Sequence, residues 1–142
     1  MKNYSIKQCY WNSDKQQLSD IRREVFINEQ LVPDELEWDE FDQTAQHIIA
    51  LNQENKAVAT GRLKADGQIG RMAVLKSYRQ QGIGSAILLV LLDIAQQQKL
   101  KSVYLHAQVS AVPFYEKHGF ICHGDEFMDA GIPHKSMHKN LS

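Results

Sequence analysis

Cysteine is scarce in this chain, and its placement argues against two kinds of site. Cys9 and Cys122 are the only cysteines, and their wide separation leaves no short C-x-x-C spacing. A zinc knuckle or a disulfide framework is therefore disfavoured. Two free thiols fit a reducing compartment, so we predict a cytoplasmic protein without a metal site.

Long apolar runs and a surplus of one charge are missing as well. The longest apolar run, residues 83–92, has about half the length of a membrane span, and residues 1–11 lack the continuous apolar core of a signal peptide. The formal net charge is -1, which gives no indication of a nucleic-acid or membrane partner. We expect the 142 residues to form one domain, residues 1–142, with a buried core.

The pattern of apolar residues alternates between strand-like and helix-like periods. It predicts a strand, an amphipathic helix, an acidic loop or short helix, and an antiparallel meander of three strands. A helix that is apolar on nearly every face then leads through a parallel crossover to a strand, a short helix and two final strands. These elements are expected at residues 4–11, 14–28, 31–46, 47–51, 57–63, 68–75, 84–98, 102–107, 110–119, 120–124 and 135–140.

Two of the predicted helices carry capping signals. Ser13 stands three residues before Gln16, the spacing of a capping box, and is expected to cap the first helix. Ser110 is expected to cap the short helix, with Pro113 in its first turn and Gly119 closing it in a left-handed conformation.

A glycine-rich turn, YRQQGIGS, stands directly before the most apolar helix. A helix N-terminus leaves about four backbone N–H groups without partners and carries about half a positive charge, which suits an anion. Gly82 and Gly84 remove side chains that would hold a phosphate away, and Arg79 adds a cation. The turn follows a predicted strand, as anion loops do. The alternative is that both glycines only shape a tight turn.

The spacing of the glycines excludes two common phosphate motifs. Position 87 is Ile, so the pattern is not G-x-G-x-x-G, and no Gly-Lys-Ser/Thr follows as in a P-loop. A Rossmann dinucleotide site and a nucleotide triphosphatase are therefore disfavoured.

Two motifs in order resemble the GNAT family of N-acetyltransferases. MAVLKSYRQQGIGSAIL contains a match to the family's R/Q-x-x-G-x-G/A pyrophosphate loop at residues 79–84, and FYEKHGF, residues 114–120, matches its second hallmark. RREVFINEQLVPDELEWDEFDQTAQHIIA, LHAQ and AGIPHKSMHKNL are similar to the ElaA-like subgroup. The resemblance implies an α/β (α+β) fold: a mixed, mostly antiparallel sheet of six or seven strands, splayed between two parallel strands and flanked by about four helices.

The resemblance also implies a co-substrate and a reaction. Acetyl-CoA would donate its acetyl group directly to an amine of a small molecule or peptide within a ternary complex, without a covalent enzyme intermediate, so Cys9 and Cys122 are interpreted as packing residues. A backbone N–H of Met72 or Ala73 would stabilise the oxyanion. The residues expected to bind the coenzyme are Met72, Ala73, Val74, Arg79, Gln80, Gln81, Gly82, Ile83, Gly84, Ser85, Gln108 and Tyr115.

One position departs from the family pattern. Many members have Asn where Gln108 stands. Glutamine keeps the amide that contacts pantetheine but adds a methylene.

Three residues are candidates for proton transfer. The tyrosine that matches Tyr115 commonly protonates the leaving thiolate in this family, so Tyr115 is the predicted general acid, with packing of the short helix as the alternative. Glu29 is a candidate base that also lies where the family builds its acceptor pocket, or else a solvated helix-end carboxylate. His47 is a candidate base or relay, or else a hydrogen-bonded strand histidine.

The acceptor side is less defined by the sequence. His106, in the strand that lines the proposed slot, and His134, in the GIPH turn, are candidate substrate-binding residues together with Glu29. The acidic run, residues 34–42, is expected to be mostly solvated surface and, where it borders the pocket, to favour a cationic amine. Arg62 and Arg71 are expected either to pair with these carboxylates or to bind substrate.

Two other interpretations remain open at this point. A non-catalytic acyl-CoA-binding or sensing module would keep the glycine turn and lack a base. A structural dimer whose turn binds nothing would leave the paired motifs unexplained. A homodimer is also compatible with the enzyme, because the last strands offer a sheet edge.

Overall fold

The computed structural model describes residues 4–32 and 39–141, which contain seven strands in two sheets. The strands are β1 (Tyr4–Cys9), β2 (Gln46–Asn52), β3 (Ala57–Leu63), β4 (Ile69–Val74), β5 (Ser102–Gln108), β6 (Ile121–Asp129) and β7 (Ile132–Asn140). The helices are α1 (Trp11–Arg22), continued by a π-helical segment (Arg23–Glu29), α2 (Ile83–Gln97) and α3 (Val112–Lys117). Short 3₁₀ turns lie at Glu40–Gln43, Lys76–Tyr78 and Val109–Ala111.

The two sheets meet at one point and then diverge. One sheet has the order β1-β2-β3-β4 and the other the order β5-β7-β6, with every pair in each sheet antiparallel. In the described ranges, β4 and β5 are joined by a single parallel bridge between Gln68 and Tyr104, where the Tyr104 N–H donates to the Gly67 carbonyl at 3.1 Å. The predicted mixed sheet, splayed between two parallel strands, is confirmed.

Helix α2 forms the centre of the main core because most of its faces are apolar. It packs against β2, β3 and β4, and Ile87, Leu88 and Leu91 are fully buried. Each such side chain stabilises the fold by about 1.5–3 kcal/mol relative to an exposed position. On β3, a Cβ at Gly61 would lie 2.7 Å from the Ile87 side chain, so glycine permits the close approach of helix and sheet.

Helix α1 covers the opposite face of the four-stranded sheet. Leu18, Ile21 and Val25 are buried against Ile49 and Ala73. Beyond Arg22 the helix takes the wider π form, and the Gln30 N–H donates to the Val25 carbonyl at 3.1 Å. The sequence analysis predicted one regular helix through residues 14–28. It missed the π-helical segment because the spacing of apolar residues does not distinguish it from an ordinary helix.

Both predicted serine caps are wrong. Helix α1 begins at Trp11 with Tyr10 as its N-cap and no side-chain cap bond; the Asp14 carboxylate instead accepts from the Tyr10 N–H at 3.0 Å. The first strand therefore ends at Cys9.

At the short helix α3, Ser110 lies in the preceding 3₁₀ turn and Ala111 is the N-cap, again without a side-chain cap bond. Pro113 does lie in the first turn, and Gly119 does adopt a positive φ of 89°.

The last two strands are longer than predicted. β6 and β7 together cover most of residues 121–140 and meet at a tight turn in which Ala130 and Gly131 have φ of 52° and 77°, as in hairpin turns with two left-handed residues. β6 is exposed at most positions, so it lacks the alternation of buried and exposed residues that a sequence pattern detects. The segment DEFMDAGIPH is therefore hairpin and not a separate loop.

The acidic segment is described from Asp39 onward. A 3₁₀ turn at Glu40–Gln43 begins with a capping box, in which the Asp39 carboxylate accepts from the Phe41 N–H and the Asp42 carboxylate accepts from the Asp39 N–H. Asp34, Glu35 and Glu37 lie outside the described residues. Within residues 4–32 and 39–141, no helix is long and apolar enough to cross a membrane.

Candidate active site

A groove of about 750 Å³ opens where β4 and β5 diverge. Its walls come from β4, the turn before α2, the end of β5, helix α3 and the residues that follow α1. We call residues 79–85 the loop end of the groove. The histidine end comprises Gln30, His106, Gln108 and His134.

A β-bulge bends β4 beside the groove. Thr60 pairs with Ala73 and Arg62 pairs with Gly70, so β4 has one residue more than β3 between these pairs. Arg71, in the bulge, has a φ of 51°, a left-handed conformation that costs about 1–3 kcal/mol for a residue with a side chain. Bulges bend a strand and re-aim its side chains, which is consistent with the separation of β4 from β5.

Part of the β4 backbone is directed at the groove and not at β3. The Leu75 N–H donates to Val58 of β3 at 2.9 Å. Because N–H groups alternate in direction along a regular strand, Ala73 is also directed at β3, while Val74 is directed at the groove. The sequence had left Met72 and Ala73 as equal candidates for the oxyanion donor, and the direction of the Ala73 N–H disfavours Ala73, which leaves Met72, in the bulge.

The loop end has the strand–turn–helix geometry predicted for an anion site. Gln80 and Gly82 have left-handed φ of 63° and 81°, and α2 begins at Ile83 with no side-chain cap. None of the described residues accepts a hydrogen bond from the backbone amides of residues 80–84. A Cβ at Gly82 would have no atom within 4 Å, so the turn is open on the side where an anion would dock.

Arg79 and Glu29 form a bidentate ion pair beside this loop. The two Arg79–Glu29 contacts measure 2.7 and 2.6 Å, and Arg79 Nε also donates to the Val74 carbonyl at 2.9 Å. The Arg79 hydrogen bonds lower the pKa of Glu29, which weakens Glu29 as a base. The structure thus places Glu29 at the loop and outside the groove lining, and this argues against its predicted base and acceptor roles.

Helix α3 places Tyr115 over the middle of the groove. Its hydroxyl donates to Met72 Sδ at 3.6 Å, and the rings of Phe114 and Phe120 hold the phenol edge-on at 5.0 and 5.8 Å between centroids. Burial raises the pKa of Tyr115 to about 12. The phenol is therefore protonated at neutral pH and is a hydrogen-bond donor there.

His47 lies away from the groove, contrary to the predicted base or relay role. It is fully buried on β2, its Nε2 donates to the Asp42 carbonyl at 2.8 Å, and its ring stacks on Trp11 at 5.6 Å. Burial lowers its pKa, which favours the neutral ring. The physical reason is its position on an inner strand covered by α1, and the alternative of a hydrogen-bonded strand histidine describes it.

The described acidic residues bind arginines. The Asp42 carboxylate lies 2.9 Å from Arg22 and 3.0 Å from Arg62, and Asp39 lies 2.7 Å from Arg62 and 3.1 Å from Arg71. The expectation of a solvated acidic surface is therefore wrong for Asp39 and Asp42, and ion pairing is the correct alternative for both groove-side arginines. With their charges engaged, these two carboxylates give no support to a preference for cationic amines.

Arg22 was missed by the sequence analysis although a signal was present. It follows Leu18 by four residues, which places it on the buried stripe of α1. It is fully buried in the structure, and an arginine on an apolar helical stripe indicates a buried carboxylate partner.

The histidine end is assembled from distant segments. Gln108 Nε2 donates to Gln30 Oε1 at 2.9 Å, so the extra methylene of Gln108 is used to reach a residue that the sequence analysis had not singled out. His106 is exposed and meets the Phe127 ring edge-on at 5.3 Å. His134 is 8 % exposed and stacks on the same ring at 5.8 Å.

Ser85 lies at the first turn of α2, and its hydroxyl lies 3.1 Å from His118 Nε2. Burial lowers the pKa of His118, and Lys139 lowers it further. The Ser85 side chain is thus in contact with the C-cap residue of α3, and its role in binding the coenzyme stays a prediction.

The comparisons with known proteins agree with this geometry. Residues 7–141 match the model of the acetyltransferase (GNAT) domain. The chain belongs to the GNAT family. It is 41% identical to the uncharacterized N-acetyltransferase YjcF of Bacillus subtilis, over 89% of this chain and 95% of that protein.

Solved GNAT structures share the whole fold. The crystal structure of Escherichia coli ElaA superposes with a TM-score of 0.85 at 25% identity, covering 96% of this chain and 99% of that one. An acyl-CoA N-acyltransferase from Pseudomonas aeruginosa gives a TM-score of 0.85 at 26% identity with the same coverage of 96% and 99%. GNAT proteins transfer acyl groups from acyl-CoA to an acceptor, which is the general activity that family membership supports for this chain.

Proposed function

We propose that the protein is an acetyl-CoA-dependent N-acetyltransferase that acts on a small-molecule or peptide amine by direct transfer in a ternary complex. The observation that carries the proposal is the row of backbone amides at residues 80–84, which donate to none of the residues in the described ranges and border a groove that Tyr115 also lines. An anion loop and a proton donor on one groove are two of the parts that this reaction needs.

The loop end fits a diphosphate without further side chains. Backbone N–H groups before and within the first turn of α2 would bind the phosphate oxygens, where the helix dipole favours negative charge. Arg79 stands beside them, although Glu29 already shares its charge. Met72 and the N–H of Val74, whose carbonyl is engaged by Arg79, would hydrogen-bond the pantetheine arm like an added strand.

The chain then supplies two groups for the chemical step. The N–H of Met72, in the β4 bulge, would donate to the oxygen that becomes negative when the amine attacks the thioester carbonyl. The Tyr115 hydroxyl, protonated at neutral pH, would donate its proton to the departing sulfur. Acetyl-CoA supplies the activated acyl group as a thioester.

The test combines binding with turnover. Coenzyme A is titrated into the protein by calorimetry, and release of free thiol from acetyl-CoA is followed with spermidine, tyramine and an Nα-blocked lysine peptide as acceptors. We expect binding and amine-dependent thiol release with at least one probe. Absence of coenzyme A binding would contradict the proposal.

Replacement of Tyr115 by phenylalanine tests the proton donor. Because only the hydroxyl is lost, kcat is expected to fall about 10²-fold, at the lower end of general acid effects, while the affinity for coenzyme A stays unchanged by calorimetry. Phe120→Leu, which alters the ring beside Tyr115 and leaves the hydroxyl, is the control for packing. An equal loss of kcat in both variants would assign Tyr115 to packing alone.

A second candidate is a non-catalytic acyl-CoA-binding or sensing module. The observation in its favour is that Glu29 is engaged by Arg79 and His47 is buried away from the groove, which leaves neither predicted base in place. Coenzyme A binding without thiol release for any of the three probes would favour this module over the enzyme.

A further inference from the structure

The proposed reaction lacks a proton acceptor once Glu29 and His47 are excluded. An amine must lose a proton to form the amide, so a basic group should reach the nitrogen. Two histidines line the groove at its histidine end, His106 and His134. Their surroundings differ, and the difference selects one of them.

The ring of His134 is fixed by two contacts. Its Nδ1 lies 2.7 Å from the Ile132 carbonyl, and a carbonyl only accepts, so Nδ1 must carry the proton. Phe127 stacks on the ring at 5.8 Å, and the β5–β7 register places Gln108 opposite His134. A neutral ring protonated at Nδ1 has its lone pair on Nε2, and no residue in the described ranges donates to that nitrogen.

His106 lacks such fixation. It lies exposed on β5, with ring contacts to Tyr104 and Phe127 and no hydrogen bond to another described residue. Either of its nitrogens can therefore carry the proton. A base needs a defined lone pair and a fixed direction, and His134 offers both because the Ile132 carbonyl and the Phe127 ring orient it.

We propose that Nε2 of His134 accepts the proton of the acceptor amine, an inference that rests on the proposed N-acetyltransferase function. The amine nitrogen forms the bond to the acyl carbon, and the carbon–sulfur bond breaks with its electron pair going to sulfur. The proton released by nitrogen goes to Nε2, and the sulfur takes a proton from Tyr115. Solvent then returns a proton from the imidazolium to the tyrosinate.

Several charged or titratable groups line the groove with His134 and bear on its pH dependence. They are Arg62 on β3, Arg71 on β4, Tyr78 and Arg79 before α2, His106 on β5, Tyr115 and Lys117 on α3, and Asp129 on β6. Arg62 and Arg71 are paired with Asp39.

The kinetic test uses His134→Gln, which keeps a polar side chain of similar length but accepts no proton. The probe is whichever of spermidine, tyramine or the lysine peptide the parent protein acetylates fastest, at saturating concentration. We expect kcat to fall about 10²- to 10⁴-fold, the acidic limb of the kcat–pH profile to disappear, and added imidazole to restore part of the rate. His123→Gln, on the same hairpin but outside the groove lining, is the matched control and should keep the parent profile.

Two further measurements distinguish a folding defect of His134→Gln from a catalytic defect. Calorimetry with coenzyme A should give the same affinity for the parent and for His134→Gln. Long-range ¹H–¹⁵N correlation of the parent's histidine rings should show the Nδ1–H tautomer for His134, a readout that needs neither a variant nor turnover.

The inference is overturned by an unchanged kcat, by a lower kcat that keeps the acidic limb, or by the Nε2–H tautomer in the free protein. A parent that binds coenzyme A but acetylates none of the probes would instead refute the enzyme proposal, and the base assignment would fall with it.

Discussion

The two ends of the groove are built in different ways. The loop end consists of backbone amides from one continuous segment, residues 79–85, whose shape depends on two left-handed residues and a helix start. The histidine end consists of side chains from three separate segments, joined by contacts such as Gln108 with Gln30, 78 positions apart. Under the proposed function, the first end would bind the coenzyme and the second would set acceptor specificity.

The largest expected effect is a loss of stability on removal of the buried ion pairs of Asp42. These pairs are made by side chains from separate segments, unlike the backbone amides of the loop end. Asp42→Asn removes the carboxylate shared by Arg22 and Arg62, and breaking a buried pair costs about 3–5 kcal/mol. Urea unfolding should show this loss. Asp93→Asn, an exposed carboxylate on α2 that accepts from Gln97, should stay within about 0.5 kcal/mol of the parent. If the two variants were equally stable, the ion pairs of Asp42 with Arg22 and Arg62 would not contribute to stability.

The next effect is confined to the loop end. Gly82→Trp fills the open side of the turn, so coenzyme A should bind at least 100-fold more weakly, about 2.7 kcal/mol. Gly124→Trp is a close control, because Gly124 also has a positive φ, 75°, and open space at its Cβ. Calorimetry that gave both variants the parent's affinity would show that the turn is not the coenzyme site.

The smallest effect concerns the ion pair beside the loop. Both partners are more than a third exposed, so Glu29→Gln should cost only about 0.2–1 kcal/mol. The pKa of Glu29 is lowered in the fold, so this stabilisation is present above the ordinary glutamate pKa and is lost as the pH falls through the lowered value. Thermal melts of parent and variant should therefore differ at pH 7 and converge in acid. A difference that persists in acid would contradict the assignment.

Local patterns predicted the loop end because its determinants are adjacent in the chain. The strand, the glycines and the apolar helix follow one another between residues 69 and 97, and turn geometry depends mainly on such neighbours. The meander before it was predicted for the same reason, and strand Ala57–Leu63 was placed with its observed bounds.

The histidine end was predicted only as separate residues. His106 and His134 were named as separate candidates. The pairing of β6 with β7, which brings Phe127 to His134, requires the hairpin turn at Ala130 and Gly131. That hairpin was not predicted, because β6 is exposed at most positions and has no alternating pattern. Gln30 carried no signal, because its role depends on contact with β5. The displacement of His47 from the groove follows from tertiary packing under Trp11, which periodicity does not report.

The π-helical segment at Arg23–Glu29 makes the positions of Glu29 and Gln30 depend on the number of residues in the helix. The wider turn holds one residue more than an α turn, and a residue added to or lost from the regular helix before it would rotate everything that follows by about 100° around the axis. Glu29 would then lose Arg79, and Gln30 would lose Gln108. Related proteins are therefore expected to tolerate insertions and deletions in the hairpin tip more readily than in this one stretch of helix.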